Sequence, residues 1–184
     1  AGNYSKRVLM PILSKQNINF QTVFSRNGLD STLLAKKFNF KESSTDTDKV
    51  WNDANTNTLF ILTRHNTHAE FIIKALKNKK NIFVEKPICT TEKQLEAIAK
   101  AYKESRGEDG KGPVLMVGFN RRFSSLTQLV KKDLMKINSP KAFTLTCNAG
   151  YLDKNHWTND FEVGGGRLIG EACHFLDLIM YLAE

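Results

Sequence analysis

Two side chains stand where proton chemistry could be done. The first is Lys86, in Glu85-Lys86-Pro87 at the end of the apolar run 81–85 (NIFVE). If that run is a strand, the lysine lies at the carboxyl edge of a sheet, and the proline fixes the turn and is free to be cis. An ammonium held there can steer a hydroxyl and clamp charge that develops on its oxygen. The second is His174, in residues 164–177 (GGGRLIGEACHFLD), where a glycine loop runs into a helix. Arg167, Glu171, His174, Asp177 and Tyr181 recur three and four residues apart and share one helical face, while Leu168, Ile169, Phe175, Leu176, Ile179 and Met180 supply the apolar remainder. Carboxylates at i−3 and i+3 orient an imidazole and raise its pKa, which makes His174 a candidate general acid or base; Asp177 is assigned to structure.

Two other readings carry less. His65 and His68 have a spacing that a metal could use, with His156 and His174 to complete the set. They lie in a strand-to-helix turn with no third ligand close in sequence, so no metal is expected and the pair is read as covering a dinucleotide. Cys173 lacks a paired base outside its own helix, which argues against a nucleophile.

Positioning these groups falls to alternating strands and helices. Residues 20–25 read as a strand, and 31–40 as a helix with Leu33, Leu34 and Phe38 on one face; 58–63 is a buried strand, after which Thr67 caps a helix over 69–78 with Phe71, Ile72, Ala75 and Leu76 inward. Residues 81–85 make a third strand, Thr91 caps a helix to 102 with Leu95, Ile98 and Ala99 inward, and 114–119 is a fourth strand. That order implies a doubly wound parallel sheet, whose ligands lie outside the carboxyl ends of the strands. Ser25-Arg26, the turn 63–68, Glu85-Lys86-Pro87 and residues 120–123 are then the first places to look. Past Phe123 the rhythm changes to a helix from 126, a strand over 141–148, a polar loop with Trp157 and the glycine-led final helix. The boundary falls near 120, dividing a dinucleotide-binding part, 1–119, from the beginning of an α+β substrate and oligomerisation domain, 120–184.

At the start, Ala1-Gly2-Asn3-Tyr4-Ser5 followed by a helix over 6–15 has the form of the tail of a glycine-rich phosphate turn, with Gly2, Asn3 and Tyr4 as cofactor contacts, although Pro11 should kink that helix. Where an acid commonly meets the ribose of NAD, this chain has Ser25-Arg26, which favours NADP over NAD by a small margin.

The 184 residues, 41% hydrophobic and 25% charged, suit an ordinary soluble domain, and no apolar run approaches the roughly 20 residues of a membrane span. Three scattered cysteines argue against a disulfide framework and point to a reducing cytoplasm. The +8 net charge is spread along the chain rather than gathered in a stripe, so acidic small ligands such as nucleotide phosphates explain it as well as nucleic acid does. Both ends look cut, and the chain alone is expected to bind cofactor poorly.

Taken in order, residues 1–4, 63–68 (TRHNTH), 85–87, 117–123 (VGFNRRF) and the glycine stretch ending in His174 resemble the Gfo/Idh/MocA oxidoreductases. Asn148-Ala149-Gly150, His156-Trp157 and residues 170–174 are most similar to members encoded with polysaccharide biosynthesis, some of them fused behind a zinc-type alcohol dehydrogenase domain. The resemblance implies a Rossmann-type fold lacking its first strand, NAD or NADP, and hydride transfer to or from a ring carbon of a sugar, cyclitol or nucleotide sugar. It also implies a homo-oligomeric parent protein. Lys86 and His174 would flank the reacting hydroxyl; Tyr4, Ser25, Arg26, Thr63, Arg64, His65, Asn66, His68, Glu85 and Lys86 would meet cofactor; Arg122, Trp157, Asp160 and His174 would meet substrate. The family commonly carries an aspartate four residues before the histidine, where this chain has Gly170, and Glu171 is expected to substitute for it. The competing reading is a non-catalytic nucleotide- or sugar-binding regulator on the same fold.

Overall fold

A computed structural model describes residues 4–184; the expected contacts at Gly2 and Asn3 lie outside them. Runs rich in β-branched and aromatic residues form short parallel strands. β1 (Thr22–Phe24) pairs with β2 (Glu42–Ser44), and β3 (Thr58–Ile61), β4 (Asn81–Val84) and β5 (Leu115–Val117) form a second ladder in that order, with Leu59 opposite Ile82 and Ile82 opposite Leu115. Parallel neighbours need crossovers. These are α2 (Gly28–Phe38) between β1 and β2, α4 (His68–Lys77) between β3 and β4, and α5 (Glu92–Ser105) between β4 and β5, while α3 (Asp48–Asn52) leads from β2 to β3. The architecture is the expected Rossmann-like one, and among the described residues its strands fall into two separate ladders.

The helices start where their caps allow. Asn27 accepts from the Leu29 N–H to open α2, which closes on Asn39 in the left-handed region, and Thr91 accepts from the Gln94 N–H to open α5. Thr67 precedes α4 without capping it, because its hydroxyl donates back to the Arg64 carbonyl. On α4, Ile72, Ala75 and Leu76 are wholly buried against Val84 and Ile82, each large side chain worth about 1.5–3 kcal/mol. α5 turns Ile98 and Ala101 inward, while the expected Leu95 and Ala99 face solvent. A smaller cluster of Met10, Leu34 and Phe38 lies with Phe20 and Val23 of the β1 region.

The first helix departs from the reading of 6–15. A π-helical turn, Ser5–Leu9, runs directly into α1 (Met10–Leu13), so Pro11 lies within a continuous helical stretch and the departure from regular α-helix falls in the turn before it. The C-terminal part contains a 3₁₀ turn (Asn120–Phe123), α6 (Ser125–Leu134) and, after a π-helical turn (Leu168–Ala172), α7 (Cys173–Ala183). The expected strand over 141–148 does not form: its residues alternate suitably, but no strand among those described lies beside it to complete a ladder.

Candidate active site

β4 delivers Lys86 to the carboxyl edge. The Glu85 N–H still donates to the Ile61 carbonyl, after which a cis Lys86-Pro87 bond turns the chain. His68 braces that turn. Its Nδ1 lies 2.7 Å from the Pro87 carbonyl and its Nε2 3.1 Å from the Thr63 carbonyl, joining the ends of β3 and β4. Burial holds its pKa below the ordinary histidine value, with the nearby Lys86 ammonium adding to the depression and the two carbonyls opposing it. Expected to cover a dinucleotide, the His68 ring is instead wholly buried with a carbonyl facing each nitrogen, and as a neutral ring it donates to one of the two. Glu85, its carboxyl pushed up by burial, lies against Gly118 just past β5; a Cβ there would come to 3.0 Å from Glu85 Oε1 and 3.2 Å from the Phe83 ring, so a larger residue would have to shift both side chains.

Lys86 Nζ donates to the Gly170 carbonyl at 2.5 Å, which leaves two of its three N–H groups free of that bond. His174 occupies the first turn of α7. Its Nδ1 is buried without a hydrogen-bond partner, and its pKa is pushed down to about 4, first by burial and then by the Lys86 and Arg121 cations. The sequence pointed the other way, to carboxylates raising it. Both carboxylates are engaged elsewhere: Arg167 holds Glu171 at 2.9 and 3.1 Å, and Arg122 grips Asp177 through two N–H groups. Glu171 therefore pairs with an arginine one turn back rather than standing in for the missing aspartate beside Lys86; Gly170 supplies a backbone carbonyl there instead. Arg122, expected on the substrate, is bound to Asp177 and lies over the Tyr181 ring.

The remaining expected residues divide between rim and scaffold. Ser25 is buried at the end of β1 with Arg26 exposed beside it, and Thr63 Oγ1 meets Thr67 Oγ1 at 2.6 Å. Tyr4 Oη accepts from Asn120 Nδ2 at 3.4 Å, bringing the N-terminal turn to the exit of β5. Asp160 organises its own loop, its carboxylate accepting from the Glu162 and Val163 N–H groups and its carbonyl from those of Gly164 and Gly165. Trp157, on that loop, meets the His65 ring edge-on at 4.8 Å, and the Arg64 guanidinium sits 5.7 Å from its ring centre. The Cys173 thiol is half-buried and pushed up by burial, unsuited to attack. Sequence reasoning passed over Arg121, whose guanidinium stacks 4.5 Å from the Phe175 ring; its signal was the Asn-Arg-Arg-Phe block, where only the second arginine was chosen. Nothing local announces the Gly170 carbonyl.

An oxidoreductase family model with an NAD-binding Rossmann fold matches residues 1–109. The chain belongs to the Gfo/Idh/MocA family. Members similar to it include scyllo-inositol 2-dehydrogenase (NAD(+)) of Bacillus subtilis (strain 168), 30% identical over 155 residues that make up 81% of this chain and 42% of that protein. Levoglucosan dehydrogenase of Pseudarthrobacter phenanthrenivorans is 29% identical over 80% of this chain and 38% of its own. The chain thus spans about two fifths of the length of these Gfo/Idh/MocA relatives. In fold, it is similar to levoglucosan dehydrogenase in complex with NADH and levoglucosan, with a TM-score of 0.80 at 23% identity over 100% of this chain and 52% of that one. It also resembles aldose-aldose oxidoreductase from Caulobacter crescentus, with a TM-score of 0.79 at 20% identity over 99% and 55%. Among the described residues no helix is long and apolar enough to cross a membrane.

Proposed function

We propose that the protein containing this chain is a nicotinamide-dependent dehydrogenase that interconverts a ring hydroxyl and a ketone of a sugar, cyclitol or nucleotide sugar. The observation that carries this reading is the buried, unpartnered Nδ1 of His174 within electrostatic reach of Lys86. Burial without a partner keeps the ring neutral, and a neutral imidazole near an ammonium is suited to take a proton from a substrate hydroxyl. The chain's own residues also suit a dinucleotide: Ser25 follows the carboxyl end of β1, Thr63 and Lys86 follow those of the paired strands β3 and β4, and Tyr4 meets Asn120 just past β5. Ser25, Arg26, Thr63, Arg64, Asn66 and Glu85 are its proposed contacts.

When bound, the nicotinamide accepts or returns the hydride. Neutral His174 takes the proton of the substrate hydroxyl as the carbon–oxygen double bond forms. Lys86, anchored by one N–H on the Gly170 carbonyl, directs another at the substrate oxygen and holds the negative charge that builds there. The depressed His174 pKa keeps the ring neutral and proton-accepting throughout the physiological range. Arg26, exposed just past β1, is set to meet a 2′-phosphate, so NADP should bind at least as tightly as NAD.

Steady-state assays of the full-length protein with NAD or NADP, on myo-inositol, scyllo-inositol, levoglucosan and nucleotide sugars, test the reading. Turnover that is lost in Lys86→Ala and His174→Ala with dinucleotide binding retained supports it; dinucleotide binding without turnover on any of these would favour the regulator.

A further inference from the structure

His65 was expected to face the cofactor, yet its ring is buried against the loop that carries Trp157 and Gly164. Its Nδ1 lies 2.8 Å from the carbonyl of Gly164, 99 residues along the chain, and since a carbonyl can only accept, that nitrogen carries the proton. The next residue repeats the link, the Asn66 N–H donating to the Val163 carbonyl at 3.1 Å. Trp157 packs edge-on against the same ring. A Cβ built on Gly170 would come within 3.2 Å of His65 Cε1 and of Thr158 Cγ2, and one on Gly164 within 2.5 Å of the Thr158 backbone. The loop from Trp157 to Gly170 is thus seated on His65, with no room for a side chain at Gly164 and little at Gly170, and the Gly170 carbonyl at its end is the one that anchors Lys86.

We propose that His65 is a positioning residue of the substrate side: it latches the Trp157 loop to the β3–α4 turn and, through the Gly170 backbone, sets where the Lys86 ammonium sits. The role rests on the reading of Lys86 and His174 given above. A misplaced catalytic group loses rate far out of proportion to its displacement, so the latch acts on turnover. The dinucleotide gains nothing from a ring that faces the loop.

The test uses the full-length protein. His65→Leu removes the donor and His65→Asn keeps one, because the asparagine amide nitrogen falls where Nδ1 stands. His65→Leu should lower kcat on the best sugar by roughly ten- to a hundredfold and raise KM, with the dinucleotide Kd moving by less than about twofold. His65→Asn should recover most of the lost kcat. A weakened dinucleotide Kd with kcat retained at saturation would overturn the latch and return His65 to the cofactor. If His65→Leu fails to melt cooperatively, His65→Asn decides alone: a folded variant with near wild-type kcat supports the latch, and one with kcat down tenfold or more refutes it. Lys86→Ala run in parallel separates the two levels, since full turnover in that variant sinks the reading of the site itself, whatever His65 does.

Discussion

The two halves of this chain bury opposite kinds of surface. Under β3, β4 and α4 the hidden face is mostly apolar: Ile72, Ala75, Leu76 and Val84 are wholly inaccessible, and the polar groups buried at its margins, His68 and Lys80, are held by backbone carbonyls. Around α7 the arrangement inverts. Asp177 is buried in its pair with Arg122, and Gly170 and His174 turn inward, while Leu168, Leu176 and Met180 of the same turns are 75%, 59% and 66% exposed. The first region is stabilised by area removed from water, the second by charge-assisted pairs in which each member is needed to satisfy the other. The proposed chemistry sits on the seam, where the first half presents Lys86 and the second presents His174.

Breaking the seam should cost most, and in rate rather than stability. Lys86→Ala is expected to lower kcat by about 10²- to 10⁴-fold, the range of a lost acid–base or electrostatic partner, with dinucleotide affinity by calorimetry nearly unchanged. Within the apolar half, Leu76→Ala should lower unfolding free energy by about 2–5 kcal/mol in denaturant titration, without moving the pH profile of turnover. In the polar half, Asp177→Ala strands Arg122, itself 30% exposed, and should cost roughly 1–3 kcal/mol, between the values for surface and buried pairs. The smallest effect is expected at Glu171. Held by Arg167 on an exposed flank, it should tolerate Glu171→Gln with kcat within about twofold of wild type; a larger loss would give it back the relay role that the family pattern suggested.

The comparison also explains what could be read in advance. Helical spacing found α4 because Phe71, Ile72, Ala75 and Leu76 form an apolar stripe, and the turn at Lys86 was legible because a proline ends an apolar run. β2 was not, since Glu-Ser-Ser has neither alternation nor bulk and is a strand only because β1 lies beside it. Residues 141–148 failed in the other direction, having a strand's pattern without a neighbour. In the polar half the pattern found the right helical face and the wrong pairing. Arg122 and Asp177 are 55 residues apart and His65 and Gly164 are 99 apart, so spacing could assign each member a role but could not show that they satisfy each other.

His174 binds the halves together through its titration. With its folded pKa near 4 against an ordinary value of 6.5, the unfolded chain takes up a proton first; the stability from keeping this ring neutral is full above about pH 6.5 and is lost as pH falls from there toward 4. Its proposed role as a proton acceptor follows the folded value. The most direct measurement is therefore the pH dependence of kcat/KM for alcohol oxidation by the full-length protein, taken on the acid side where the fold persists. An acid limb near pH 4, with rate sustained through pH 5 to 6, is the predicted result. A limb near 6.5 would contradict it, because His174 would then be an ordinary exposed histidine and not the desolvated partner of Lys86.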